Sequence, residues 1–368
     1  MNFEFSDDVT AMRQEVRRFL ADRLPPGTVR QQMEQGPVID RPLWSEMAAM
    51  GWLGLTIPEQ HGGSGLGHEA LCMLAEEMGA FLPPVPFAST LYLVAEAVLA
   101  FGSPAQQAEW LPKLADGSVA GTFALAEGAG EPAAGTIRAR VAAGRLSGMK
   151  VPVHDAAAAG LLLVAARDVE GEVGLFLVAG DAPGIRRTPL RTLDIARDAA
   201  RLDFQDVPAE PLPGAAGWPA IARLLDRAAV PLAFEQVGGA RAALEMAVAY
   251  AMDRFAFGRP IASLQAIKHK LADIYVAVEL ARSNAYFGAW ALDRDAPELP
   301  RAAAAARLAA IDAYQLAARE NIQTHGGMGF TWEADCHLHY RRAALLSGII
   351  GGARHWRDRL FDQLALQH

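Results

Sequence analysis

Two stretches of this chain carry residue types suited to a phosphorylated ligand. Arg254-Phe255-Ala256-Phe257-Gly258-Arg259-Pro260 sets two guanidinium groups and an aromatic ring around a turn. Arginine grips phosphate bidentately, and Phe257 offers a face for an adenine. The same composition also suits an exposed loop between helices. Gln323-Thr324-His325-Gly326-Gly327-Met328-Gly329-Phe330 crowds three glycines into four positions after a long helical stretch. Bare N–H groups and an amide suit a phosphate or sugar-like chain, and a helix C-cap accounts for the glycines equally well. Two other patterns carry less. Gly65-Leu66-Gly67-His68-Glu69-Ala70 matches a dinucleotide fingerprint, but no strand precedes it and no βαβ unit follows. It reads as a glycine-rich loop entering a helix. Asp335, His337 and His339 resemble metal ligands, but residues two apart on a helix do not share a face. No second cluster completes a ligand set, so no metal is expected.

The elements that position these residues follow from periodicity. Met12, Val16, Phe19 and Leu20 mark one buried helical face, as do Leu71, Leu74, Ala75 and Met78, and Leu91, Val94, Ala95 and Val98. Pro25-Pro26-Gly27 and Pro83-Pro84-Val85-Pro86 separate them. Near residue 121 the period changes. Thr122 to Leu125, Leu161 to Val164 and Leu175 to Val178 are short apolar runs, and Ala200, Leu202 and Phe204 alternate with Arg201 and Asp203. Several short strands with Gly/Pro turns predict a small sandwich or barrel, closed by Pro211-Leu212-Pro213-Gly214. Helical spacing returns after about 218, with Ile267, Leu271, Ile274 and Val278 on one face and Leu308, Ile311 and Ile322 on another. The alanine-rich run Arg301 to Arg307 reads as a strong helix former. An α+β multidomain chain is expected: helices over 1–120, a β domain over 121–215, helices over 216–368.

The bulk numbers agree. The chain has 368 residues, 52% hydrophobic and 21% charged, enough for a large core. A net charge of −8 argues against a nucleic-acid binder. Two cysteines, Cys72 and Cys336, make no disulfide framework. Met1 to Asp8 is acidic and lacks the apolar core of a signal peptide. No apolar run reaches the ~18 residues of a spanning helix. A cytoplasmic protein with no membrane partner is expected.

Taken together and in order, the segments resemble the acyl-CoA dehydrogenases. Gly51 to Gly65 (GWLGLTIPEQHGGSG) is similar to the family's N-terminal segment, and Tyr250 to Ala272 (YAMDRFAFGRPIASLQAIKHKLA) to the segment opening its long C-terminal helices. Gln323 to Phe330, then Tyr340-Arg341-Arg342-Ala343, looks like its C-terminal signature. The resemblance covers almost the whole chain. It implies a helical N-terminal domain, a middle β domain and a C-terminal four-helix bundle. It also implies FAD, with the flavin between the β domain and the C-terminal helices. Arg254, Phe257 and Gln265 stand where family members hold the FAD of a neighbouring subunit. Gln323, Gly326 and Gly327 stand where the other subunit closes over it. Leu125 and Ala126 stand in the flavin-contacting segment. The implied chemistry is α,β-desaturation of an acyl-CoA thioester. A carboxylate with a pKa raised by burial removes the α-proton, donors to the carbonyl oxygen stabilise the enolate, and a hydride passes to the flavin. An electron-transfer flavoprotein then takes the electrons. Tetramers are implied.

Three departures follow from the same comparison. The family's base is a Glu in an aromatic-Glu-Gly-Thr run, where this chain has Ile349-Ile350-Gly351-Gly352; Ile350 takes the Glu position. Loss of the bulky base there leaves room for a branched or polycyclic acyl group. An alternative base position on the helix that begins the C-terminal domain holds Ala228. Glu235, two helical turns further on, lies within the apolar and small Ala233-Phe234-Glu235-Gln236-Val237-Gly238-Gly239 and is the remaining candidate. It reads either as the base or as the partner of an arginine at a subunit interface. Finally, Ala126 replaces a common Thr, and Lys150-Val151-Pro152-Val153-His154 replaces a Trp-Ile-Thr run. That brings His154 to the flavin, as a donor to N5 or O4 or as a polar filler. The Ser expected for CoA is missing from Gly128 to Pro132.

Three functions fit these departures. One is an active FAD-dependent dehydrogenase with a relocated base, as a homotetramer. The second is a non-catalytic or half-site subunit of a heterotetramer whose partner carries the Glu. The third is a flavin oxidase or monooxygenase of the same fold.

Overall fold

The computed structural model describes residues 7–36 and 39–365. Met1 to Ser6, most of the segment read as leader-free, lies outside them. The backbone forms two compact units. One, here the helical unit, comprises Met1–Gly36, Glu69–Pro83 and Ala229–His368; the other, the β unit, comprises Pro37–His68 and Pro84–Ala228.

The helices before the sheet are α1 (Asp7–Arg23), α2 (Thr28–Glu34), α3 (Arg41–Ala49), α4 (Gly67–Phe81), α5 (Glu96–Phe101) and α6 (Pro104–Ala115). A buried π-helical segment, Ala88–Ala95, runs into α5. Strands β1 (Ala120–Ala124), β2 (Arg140–Ala142), β3 (Arg145–His154), β4 (Ala159–Arg167), β5 (Val173–Ala179), β6 (Ile185–Pro189), β7 (Ala199–Pro208) and β8 (Glu210–Ala216) follow. They form an eight-stranded sheet in the order β6-β7-β3-β2-β4-β5-β8, with β1 paired parallel to β4. The alternation read at Ala200, Leu202 and Phe204 is real: all three are buried in the sheet's core with Leu162, Val164 and Val178. Pro211 to Gly214 closes the β region from within its last strand rather than as a turn after it. It lies inside β8, where Pro211 pairs with Phe176. β8 is the last strand in the sheet order, so the N–H groups its prolines lack are not missed by a neighbour.

Past the sheet come α7 (Trp218–Asp253), the small hairpin β9 (Phe255–Ala256) and β10 (Arg259–Pro260), then α8 (Gln265–Asp293), α9 (Leu299–His325), α10 (Cys336–Gly348) and α11 (Ala353–Ala365). In the helical unit α8, α10 and α11 all pack on α9. Ala302, Ala303, Ala306, Ala310 and Ala313 are buried on α9, so the alanine-rich run is core packing. The crossing of α4 and α7 is tighter still. A Cβ on Gly79 would fall 1.7 Å from the carbonyl oxygen of Glu235, and one on Gly238 would fall 1.8 Å from that of Glu76. Each helix offers the other a glycine, and the backbones touch.

Candidate functional site

Ala228 and Ile350 are 0% and 1% exposed. Ile350 sits in a turn where Ile349 bridges to Gly351 and Gly351 has φ +107°. A Cβ at Gly351 would meet the His355 ring at 2.7 Å, and the Trp356 indole donates to the Gly351 carbonyl at 3.1 Å. The turn that the resemblance aligns with the base segment is built and held here around a buried hydrocarbon side chain.

Glu235 is 2% exposed, but its surroundings differ from the apolar pocket expected. The small residues around it serve the α4–α7 crossing. Its carboxylate faces the Arg342 guanidinium of α10, Nη1 to Oε1 3.7 Å. Arg307 of α9 is fully buried as well. Burial pulls its pKa down to about 9, and the charge of Glu235 opposes that. Arg307 donates to the Leu346 carbonyl at the end of α10 at 2.6 Å and to Gln236. Glu235 thus faces a cation from another helix of the same chain. Sequence reading passed over Arg307 because it closes an alanine-rich run; a lone charge on that face was the available signal.

The three residues that looked like metal ligands face apart. Asp335 accepts from the Gly27 N–H at 2.8 Å and from Arg30 at 2.6 Å. His337 stacks on Trp332. His339 is buried, with Nδ1 3.1 Å from the Tyr314 hydroxyl, and burial pushes its pKa down to about 4, helped by Arg342. Gly65 and Gly67 have φ +60° and +82° and turn the chain into α4, as a loop entering a helix should.

Six of the residues expected to hold FAD, Arg254, Phe257, Gln265, Gln323, Gly326 and Gly327, lie in the helical unit. Arg254 follows α7 and is tied by its N–H to Tyr250 and by its carbonyl to Ile261, 2.9 and 2.8 Å. Phe257 and Gly258 make the two-residue loop between β9 and β10, both left-handed at φ +54° and +74° as such loops require. A bulky residue rarely adopts that backbone, yet the Phe257 ring is 92% exposed. Gln265 is the exposed first residue of α8, and Gln323 is exposed on α9. Tyr250 stacks on His325, centroids 4.1 Å apart, which joins the α7 and α9 ends. Beyond His325, no atom lies within 4 Å of where a Cβ on Gly326 or Gly327 would be. Exposed Met328 and Phe330 follow. An arginine, two amides, an open glycine edge and bare aromatic faces suit a phosphorylated ring-bearing cofactor.

In the β unit, Leu125 and Ala126 are held against β3. Val151 donates to the Ala126 carbonyl at 2.8 Å, and Lys150 Nζ donates to that of Leu125 at 3.0 Å and to Glu127 at 2.7 Å. Burial pulls Lys150 down to about 8, while Glu127 opposes the shift. Glu127 also takes the N–H groups of Arg138 and Ala139 at 2.8 and 3.0 Å. His154 ends β3. Its ring makes no hydrogen bond to the described residues. Burial lowers its pKa, Asp155 and Asp194 raise it, and Arg197 lowers it. The imidazole is therefore neutral at neutral pH, with one donor and one acceptor available.

Comparison with known proteins supplies the class. The family models for the acyl-CoA dehydrogenase N-terminal and C-terminal domains match residues 6–118 and 215–357. The acyl-CoA dehydrogenase IpdE2 of Mycobacterium tuberculosis (strain ATCC 25618 / H37Rv) is 35% identical, over 96% of this chain and 96% of its own. Among solved structures, the Tcur3481-Tcur3483 steroid ACAD is 34% identical with a TM-score of 0.90, covering 98% of both chains. The ChsE4-ChsE5 complex of Mycobacterium tuberculosis is 26% identical with a TM-score of 0.89, covering 99% of both. The chain belongs to the acyl-CoA dehydrogenase family. It is an acyl-CoA dehydrogenase-type oxidoreductase, and its family membership implies a flavin cofactor.

Proposed function

We propose that this chain is one subunit of a heteromeric acyl-CoA dehydrogenase, sharing an FAD site with a related subunit that carries the catalytic carboxylate. The carrying observation is the state of the base positions. Ile350 and Ala228 are buried hydrocarbon, and Glu235 is engaged with Arg342. The exposed Arg254, Phe257 and Gln265 support the sharing, because in this chain they face solvent and so suit a cofactor lying against another chain. Two similar structures are pairs by name, Tcur3481-Tcur3483 and ChsE4-ChsE5. The flavin supplies the hydride acceptor when bound. In the helical unit Arg254 would reach the phosphates of a neighbouring subunit's FAD, with Gln323, Gly326 and Gly327 closing over a cofactor; separately, in the β unit, Leu125, Ala126 and His154 would flank a flavin ring.

The substrate is proposed to be a bulky, polycyclic acyl-CoA. The similar Tcur3481-Tcur3483 protein is a steroid ACAD, and Ile350-Gly351-Gly352 leaves a small, apolar turn. The assembly is a heterotetramer in the cytoplasm, and an electron-transfer flavoprotein reoxidises it. Among the described residues no helix is long and apolar enough to cross a membrane. The division at 1–120, 121–215 and 216–368 is kept as the working domain scheme.

A second reading keeps Glu235 as the base of a self-sufficient enzyme; its burial favours that reading. One experiment separates the two. The chain is purified alone and after co-expression with a family member that carries aromatic-Glu-Gly-Thr, and flavin absorbance and bleaching by acyl-CoA are recorded. The heteromeric reading expects bleaching only from the co-purified pair. Stoichiometric flavin and full bleaching from the lone chain would overturn it.

A further inference from the structure

We propose that Asp155 is a positioning residue for His154, fixing the end of β3 so that the imidazole is presented to the flavin ring with both nitrogens uncommitted. The inference rests on the reading above that His154 flanks the flavin.

The argument begins with the backbone. Asp155 follows the last residue of β3 and has φ +56°. That left-handed conformation is unfavourable for most residues with a Cβ; glycine adopts it freely, and aspartate is among the few others that visit it. The chain instead uses an aspartate here, and buries it to 2% exposure. Its carboxylate is fully engaged. Arg197 Nε donates to Oδ1 at 2.8 Å, the other arm of the same guanidinium donates to Oδ2, and Ser89 of the π-helical segment donates to Oδ2 at 2.7 Å. Burial alone would raise the Asp155 pKa, but Arg197 and Ser89 hold it below its ordinary value. The Asp155 N–H donates to the Asp198 carbonyl at 2.9 Å, and the Asp198 carboxylate takes the Ala157 N–H at 2.8 Å. Thr122 donates to the His154 carbonyl, and His154 pairs with Ala199 across the sheet. Backbone strain of this kind persists only where the surroundings over-determine it, and it gathers at functional sites.

These contacts act on the backbone of 154 and 155 or on the Asp155 carboxylate, and among the described residues none is a hydrogen bond to the His154 ring, on which Asp155, Arg197 and Asp194 act only through their charge. A half-buried imidazole left without a partner is unfavourable unless something else meets it. Arg197, the Asp155 and Asp198 carboxylates and the left-handed turn together hold the ring's base in place while leaving its nitrogens open.

The test uses the co-purified flavin-containing complex with His154→Thr, Asp155→Asn, Asp155→Gly and Ser89→Ala. Asp155→Asn keeps the shape but weakens the Arg197 clamp. Asp155→Gly relieves the backbone and removes the clamp, and Ser89→Ala serves if either fails to fold. Visible flavin spectrum and midpoint potential are read alongside flavin content and particle size. His154→Thr is expected to shift the spectrum and potential. The clamp variants should shift them in the same direction with flavin content retained, and adding His154→Thr to them should produce little further change. Unchanged spectra and potentials in the clamp variants, with His154→Thr shifted, would overturn the proposal. An unshifted His154→Thr complex, or a complex free of flavin, would overturn both the proposal and the flavin placement it rests on. A lone chain that binds and bleaches flavin would overturn the heteromeric reading and leave this one standing.

Discussion

Arg342 and Glu235 face one another inside the helical unit, Nη1 and Oε1 3.7 Å apart, with side chains 2% and 3% exposed. Breaking a buried pair leaves the remaining charge without compensation and typically costs about 3–5 kcal/mol. Arg342→Met is therefore expected to lower unfolding free energy by that order, measured by urea titration. The double variant Arg342→Met with Glu235→Gln should recover part of the loss. Additive losses would show that the two groups do not interact.

The same carboxylate is tested as a base by Glu235→Gln in the complete complex. A positioned general base contributes ~10²-fold or more. The ion-pair role predicts reduced stability with acyl-CoA-driven flavin reduction within a few-fold of wild type. A loss of ~10²-fold at unchanged flavin content would restore Glu235 as the base.

The proposed Arg254–phosphate contact, a charge-assisted one, would be worth ~1.5–3 kcal/mol, so Arg254→Ala is expected to cost roughly ten- to hundredfold in FAD affinity. Flavin content after gel filtration should fall, and because Arg254 is exposed, the fold should survive. Unchanged flavin content and particle size would remove Arg254 from the cofactor site.

Gly79 and Gly238 test the helix crossing. A methyl group at either would overlap a carbonyl oxygen of the other helix, and overpacking costs about 1–3 kcal/mol, occasionally more. Gly79→Ala and Gly238→Ala should each lower Tm by several degrees, read by calorimetry. A Tm equal to wild type in both would mean the helices separate freely.

Acid should destabilise the fold through two buried groups. Glu96 lies between His68 at 3.0 Å and Arg227. Burial alone would raise its pKa, but these partners outweigh it and hold it at about 2, from an ordinary 4.5. A depressed carboxylate stabilises the fold above 4.5, and that contribution is lost as pH falls from 4.5 towards 2. Burial lowers His339 to about 4 from 6.5, so its unfolded form takes a proton first and stability declines from pH 6.5 towards 4. Glu96→Gln should flatten the lower limb of a stability–pH profile and leave the upper limb. An unchanged lower limb would rule out this role for Glu96.

Much of the architecture was legible because it is written locally. The alternation at Ala200, Leu202 and Phe204 needs only the two-residue repeat of a strand, and the alanine-rich run needs only helix propensity. β8 was hidden because proline reads as a terminator until the strand is known to lie at a sheet edge. Phe257 in a left-handed loop was equally hidden, since the local sequence does not reveal that its backbone is strained or its ring bare.

Sequence alone determined the family and the order of helices and strands, because these depend on residue types at fixed spacing. Only tertiary structure decided what Glu235 and Asp155 meet. Glu235 meets an arginine more than a hundred positions away on another helix, and Asp155 is gripped by Ser89 and Arg197 from opposite sides along the chain. Whether a buried carboxylate is a raised-pKa base or a compensated counter-charge depends on which cation folding brings to it, and no local pattern records that partner.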